Sequence, residues 1–432
     1  MKNFEFVFLQ VIINNIWHLV FKKPITSKVR HVIVEFTAYI LALIVAKLLS
    51  MATQIVIGRS AGPEFYGQFT IIIILANYFS LPMINGWGLA YVRLAAMEHN
   101  KKIKVQILKM LIAITLLATV LTVISISTIC VWLEQKLHVN QAIVWLSIVM
   151  AIATTCWTLA KQVFQADQHW YKYTAVELVW AFSIFSGTLV LLIGNYYINL
   201  NAIIYIFVVS YFLGSAIALP RIWSSFFAPS QRHYAYKILW HGLSISLNAL
   251  IGTLAFGIDR LLINYALGLT DVGIYQAHFL STYGMIATFT AMLINYLFPL
   301  FVQSNQDKLS YHIHHMILVS YPCIFVLSML SGVLFVWLYG YPISIALLAL
   351  LSLFNCVQFH GQLLAWRLAG QGSTMTWRLL IAQLAFLTVN IVLLVVLVTP
   401  TGILAGGISL LMGSLVFLGI TYRIFLSSEA IT

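Results

Sequence analysis

An ionisable side chain inside a long apolar run costs about 2.5–3.5 kcal/mol on insertion scales, so each needs a partner or a task. Lys47, Glu177, Asp259 and Arg260 stand in such runs, and His241 and Glu35 lie nearer the ends of theirs. Lys47, mid-span, has no partner at helical spacing on its own helix, which suits a hydrophilic crevice and an anionic cargo. Glu177 has two readings, a proton or sodium site or the partner of a group on a neighbouring helix. Asp259 is the second ion-coupling candidate. It is adjacent to Arg260, and side chains one residue apart on a helix project about 100° from each other, so the two are not expected to pair directly. Arg260 is also long enough to snorkel to the nearer interface.

The neighbours of these groups recur at three- and four-residue steps, the spacing of one helix face. One stripe is His241, Ser244, Asn248, Gly252, Ala255 and Asp259; another is His278, Ser281, Met285, Thr288, Met292, Asn295 and Pro299. Lys47, Ser50 and Gln54 form a third, and Asn77, Ser80, Trp87 and Tyr91 a fourth. Small and polar residues at this spacing also glue membrane helices together. Packing and cavity lining account equally well for the Ser, Thr and Asn positions, whereas Lys47 favours a cavity. The expected substrate-binding set is Lys47, Gln54, Asn77, His241, Asn248, Arg260, His278 and Asn295, with Asp259 and Glu177 as ion-coupling candidates.

The elements carrying these stripes lie in lipid. Of 432 residues 62% are hydrophobic and 8% charged, against about 25% charged in soluble domains. Runs of about 20 apolar residues, enough to cross a hydrocarbon core of about 30 Å, fall at 33–57, 69–92, 106–133, 141–163, 173–194, 200–220, 238–264, 274–301, 313–339, 342–366, 376–398 and 402–422. The 342–366 run is interrupted by Asn355, Gln358 and His360. This predicts an all-α integral membrane protein of about 12 spans.

The net charge of +12 could suggest nucleic acid, but placement argues against that partner. With the N-terminus inside, only Arg59 and Lys136 fall in outer loops and only Lys47 and Arg260 within spans. The other Lys and Arg, Lys161 and Lys172 among them, fall with the inside segments, as the positive-inside rule requires. Both termini are therefore expected to be cytoplasmic. Lys101, Lys102 and Lys104 are expected to meet anionic membrane lipids. Residues 1–31 read as an amphipathic interfacial segment rather than a cleaved signal peptide. Cys130, Cys156, Cys323 and Cys356 lie in apolar runs without metal-ligand spacing, so no disulfide, metal or cofactor is expected.

The chain also repeats itself at an offset of 206 residues. Gly62-Pro-Glu-Phe-Tyr-Gly67-Gln-Phe69 corresponds to Gly268-Leu-Thr-Asp-Val-Gly273-Ile-Tyr275. Two glycines five apart suit a tight outer turn between antiparallel helices. Six spans per unit is an even number, so the halves are parallel repeats about an axis along the membrane normal, with a cleft between them. The expected organisation is a six-helix bundle over 32–220, a basic linker over 221–237 and a second bundle over 238–432.

At these residues the sequence resembles a known family. Ile57-Gly58-Arg59 leading into Gly62–Gly67, and Gly86-Trp87-Gly88 before Tyr91-Val92-Arg93, are similar to the first half of the polysaccharide-transport family, which includes the O-antigen flippases of lipopolysaccharide synthesis. Ile258–Ile263, Val272-Gly273-Ile274-Tyr275 and Pro299 resemble its second half. The resemblance implies the multidrug/oligosaccharidyl-lipid/polysaccharide exporter superfamily and a flippase in the bacterial inner membrane. The implied cargo is a polyprenyl-diphosphate-linked oligosaccharide, moved from the cytoplasmic to the periplasmic leaflet by alternating access. Polysaccharide polymerase or assembly proteins are the implied protein partners. Lys47 and Arg260 would attract the diphosphate, and Asn, Gln, His, Tyr and Trp side chains would meet the sugars. The alternative is an ion-coupled multidrug or organic-cation exporter, whose pocket should be acidic or aromatic. A membrane enzyme would need catalytic groups on a sizeable outer loop, and the expected outer loops are short. A built-in ATPase would need a phosphate-binding loop, and no such motif occurs.

Overall fold

The computed structural model describes residues 27–429 apart from 99, 138–139, 195–198, 228, 230–231, 304–306 and 372. Among them there is no strand. The helices are α1 (Ser27–Ser80), α2 (Gly86–Met97), α3 (Lys101–Leu137), α4 (Gln141–Ala166), α5 (Trp170–Ile193), α6 (Leu200–Ala216), α7 (Leu219–Phe226) and α8 (Arg232–Leu267). They continue as α9 (Leu269–Gln303), α10 (Asp307–Tyr339), α11 (Ile345–Gln371), α12 (Ser373–Thr401) and α13 (Leu404–Glu429). The interfacial segment expected over 1–31 lies almost wholly outside the described residues. In the expected linker, α7 reaches Phe226 and α8 begins at Arg232.

Nine helices among the described residues are long and apolar enough to cross a membrane, or ten if the bent pair α6–α7 is one span. The first of them covers 59 residues, Tyr39–Met97, which would be about 88 Å if straight. It is a hairpin. Gly62 (φ +85°) breaks α1, and Pro63 follows it, lacking the N–H that would continue the ladder. The Tyr66 hydroxyl then donates to Gln54 Oε1 at 3.0 Å, a contact that twelve residues of straight helix could not make. Gly268 (φ +99°) makes the equivalent turn between α8 and α9. With α1 counted as two spans and α9 included, the bundle has about twelve spans, as expected.

The second glycine of each repeat has another task. A Cβ on Gly67 would lie 2.1 Å from the Leu269 carbonyl oxygen, and one on Gly273 would lie 2.0 Å from that of Pro63. Leu269 is Pro63 shifted by 206, so the two halves cross through one symmetric pair of glycine-to-backbone contacts. The same turn end is clasped by side chains. Tyr66 and Tyr339 hydroxyls lie 2.9 Å apart, Tyr341 donates to the Gly58 carbonyl at 2.8 Å, and Arg59 to that of Leu338 at 3.2 Å.

Toward the other, basic end the halves meet again. The second span contains a π-helical turn, Leu81–Asn85, a device that disturbs the backbone ladder. Trp87 Nε1 donates to the Pro82 carbonyl there at 2.8 Å. A Cβ on Gly86 would lie 1.9 Å from Ser246 Oγ on α8, and one on Gly88 1.6 Å from Gln162 Oε1 on α4. The Gly86-Trp87-Gly88 motif thus lets one helix touch both its own bundle and the other.

Candidate functional site

Lys47 lies in this seam. Its side chain is half-buried, and a Cβ on Gly284 of α9 would sit 3.6 Å from its Cε. The ammonium stem is therefore set against the opposite bundle. Glu177 is within electrostatic reach of it but forms its direct ion pair with Lys161, at 3.0 Å. Lys161 also stands 3.2 Å over the Trp157 ring. Lys161, assigned with the inside segments from sequence, is instead a helix-borne partner for Glu177. Gln54 belongs to the turn-end clasp through Tyr66, and Asn77 is exposed.

Asp259 and Arg260 overturn the expectation that adjacent side chains do not pair. Arg260 Nη1 lies 2.7 Å from Asp259 Oδ1. The guanidinium curls back along its own helix, donating also to the Phe256 carbonyl and through Nε to Gln276 Oε1 at 3.1 Å. It stacks 3.7 Å from the Phe279 ring centre, while Tyr275 donates to Asp259 Oδ2 at 2.6 Å. Arg260 does not snorkel, being 2% exposed beside an Asp259 of 0%. Stripping one member from a buried ion pair costs about 3–5 kcal/mol because the other is left uncompensated. Asp259→Ala should therefore sharply lower the melting temperature of the purified protein. Adding Arg260→Met should recover most of the loss; equal destabilisation by both variants would show that the stranded guanidinium is not its cause.

His278 is buried with both ring nitrogens engaged. Nδ1 meets the Ile274 carbonyl at 2.8 Å, and Nε2 accepts from the Ser344 amide at 3.1 Å. This fixes a neutral tautomer and ties the α10–α11 connection to α9. His241 is half-buried, with its Nδ1 lacking a protein partner. Asn248 donates to the Ser244 and Thr376 carbonyls at 2.9 and 2.6 Å, leaving its buried Oδ1 unpartnered. The side chain of Asn295 lies outside the described residues.

Two cavities lie along the second bundle, the first of them also walled by Leu89 and Arg93 of α2. One, of about 210 Å³, is lined by residues including Arg93, Asn248, Gly252, Gln362, Trp366 and Gln383. The other, of about 230 Å³, is lined by residues including Tyr283, Thr290, Asn355, Gln358, Gln362 and Trp366. Gln362 and Trp366 face both. Asn248 Oδ1, Asn355 Oδ1, Gln383 Oε1 and both amide atoms of Gln358 are buried without a protein partner. Buried polar atoms are normally satisfied, so this concentration of free amide groups equips the cavities for a polar guest. Neither lining contains Asp or Glu, and the one charged residue is Arg93. Lys47, Arg260 and His278 line neither. Asn355, Gln358, Gln362 and Gln383 were missed as site residues. The signal was the interruption of the 342–366 run by Asn355 and Gln358.

A paired bundle of about twelve helices, with polar cavities beside the seam, places this multi-pass membrane protein in a transporter fold. The same fold occurs in a multidrug resistance MATE family transporter of the MOP superfamily in its inward-facing conformation. That likeness has 15% identity and a TM-score of 0.66 over 89% of this chain and 96% of that one. A MOP superfamily transporter from Pyrococcus furiosus, described by the reverse polarity of its binding pocket, matches at 14% and 0.66 over 91% and 95%. The lipid II flippase MurJ, inward closed, matches at 11% and 0.57 over 91% and 87%. No curated protein matches the sequence significantly. The chain belongs to the polysaccharide biosynthesis protein family, whose sequence model matches residues 33–305. The family resemblance of the two half-motifs is thereby borne out.

Proposed function

We propose that the protein flips a polyprenyl-diphosphate-linked oligosaccharide, an O-antigen repeat unit or similar, across the bacterial inner membrane. The observation that carries this reading is the set of free amide groups around Gln362 and Trp366 in cavities without acids. A sugar ring presents hydroxyls at its rim and C–H groups on its faces. Amides serve the first as donors and acceptors, and Trp366, Tyr283 and Phe256 serve the second.

The Lys- and Arg-rich end is taken as cytoplasmic, which makes the clasped turn end periplasmic. Lys47 and Arg93 supply the positive charge for the diphosphate. The lipid tail stays in the bilayer, and rocking of one bundle against the other exposes the cargo to each side in turn. An inside-negative potential assists, by about 2.3 kcal/mol per exported negative charge per 100 mV. Asp259 and Glu177 remain the ion-coupling candidates, each already bound to a cation. An organic-cation exporter is the weaker reading because the cavities lack a carboxylate. An enzymatic role is weaker still, because the turns at Gly62 and Gly268 leave no sizeable loop there for a catalytic cluster.

Reconstitution tests the reading. Proteoliposomes should expose a fluorescent polyprenyl-diphosphate oligosaccharide to a membrane-impermeant quencher on the far side, and should not accumulate tetraphenylphosphonium. The reverse pattern would transfer the assignment to the exporter.

A further inference from the structure

A third cavity, of about 330 Å³, lies at the basic end of the first bundle, where α3 and α5 begin and α7 passes. Its lining includes Lys101, Lys104, His169, Lys172, Arg221 and Asp167. The acid is already taken, because Arg221 Nη2 lies 3.0 Å from Asp167 Oδ2. Lys101, Lys104 and Lys172 have no ion pair among the described residues, so three like charges converge on one concavity. That convergence is unfavourable unless an anion enters.

The backbone adds to the field. α5 starts at the rim with His169 as its N-cap and no side-chain cap bond, leaving the positive end of a 24-residue helix at the cavity. Gln168, just before it, is the one non-glycine residue with positive φ among the described residues, at 55°. This turn is bound to α7 by the Asp167–Arg221 pair, so an anion seated here would contact three elements at once.

We propose that this pocket binds a phosphate group at the membrane surface. The proposal does not rest on the transport reading, since none of these residues lines the cavities of the second bundle. Phosphate offers tetrahedral oxygens to several ammonium groups together, and the pocket lies where a headgroup phosphate would be if the basic end faces the cytoplasm. Two sources share this chemistry, an anionic lipid headgroup and a free phosphate compound.

The test is titration calorimetry on the full-length protein in neutral detergent, with micellar phosphatidylglycerol, inorganic pyrophosphate and phosphatidylcholine as separate probes. Lys104→Gln/Lys172→Gln should weaken binding of the anionic probe by about 30-fold, the effect of two basic residues at a surface. Lys237→Gln/Arg423→Gln, with the same charge change outside the pocket, should change it less than threefold. Binding of phosphatidylglycerol alone supports the proposal with a lipid headgroup as ligand. Binding of pyrophosphate, lost in the same variant, supports it with free phosphate. The proposal fails if neither anion binds, if phosphatidylcholine binds equally, or if both double variants lose affinity alike.

Discussion

Lys47→Ala should cut transport by about tenfold to hundredfold while leaving protein level and topology intact. Removing a mid-span lysine relieves an insertion cost of about 2.5–3.5 kcal/mol, so the loss cannot come from failure to enter the membrane. Nor does the variant break an ion pair, since Glu177 is held by Lys161 at 3.0 Å. What disappears is a half-buried cation set against the opposite bundle at Gly284. A unit charge 4 Å from a phosphate oxygen is worth about 4 kcal/mol at an effective dielectric of 20. Solvent in a half-buried site reduces this, leaving about tenfold to hundredfold in affinity. Lys47→Arg should retain activity. The readout is surface polysaccharide in cells whose only copy is the variant; a normal amount with Lys47→Ala removes this residue from the mechanism.

Gly273→Val should push the turn end apart and slow transport at least tenfold. The atom it would strike is the backbone oxygen of Pro63, 2.0 Å from the new Cβ, and a backbone carbonyl inside a packed crossing cannot rotate away. Relief requires the halves to separate, which stretches Tyr66–Tyr339, Tyr341–Gly58 and Arg59–Leu338. Gly67→Val should act alike, meeting the Leu269 oxygen at 2.1 Å. Gly268→Ala is the informative control. Its φ of +99° makes any side chain costly, yet nothing lies within 4 Å of its Cβ position. It should lower stability by about 1–2 kcal/mol without moving the halves. Spin labels at Glu64 and Thr270, both exposed, would report the separation. An unchanged distance distribution in Gly273→Val would show that the crossing does not set the spacing of the halves at the turn end.

The two repeat glycines show what a sequence can and cannot convey. Their spacing indicated an outer turn, and Gly62 and Gly268 make it. That Gly67 and Gly273 instead permit the crossing between halves depends on which backbone lies opposite, and no local pattern encodes that. The span boundaries were legible because lipid demands continuous apolar runs. The directions of the Cα–Cβ bonds do not disclose the Asp259–Arg260 pair, because a guanidinium on three methylenes can fold back to its neighbour. Glu177 had an open structural reading, and its partner Lys161 was assigned elsewhere because a lysine near a span end normally seeks water. The α11 amides were legible only as an interruption, since helical spacing does not say which face meets a cavity.

The most direct test of the transport assignment is the rate at which purified protein in proteoliposomes brings a labelled polyprenyl-diphosphate oligosaccharide to the far leaflet. The wild-type chain should accelerate this well above protein-free vesicles, and Gln358→Leu/Gln362→Leu should lose at least tenfold of that acceleration while folding normally. No acceleration by the wild type, or an undiminished rate in the double variant, would contradict an amide-lined passage for the glycan.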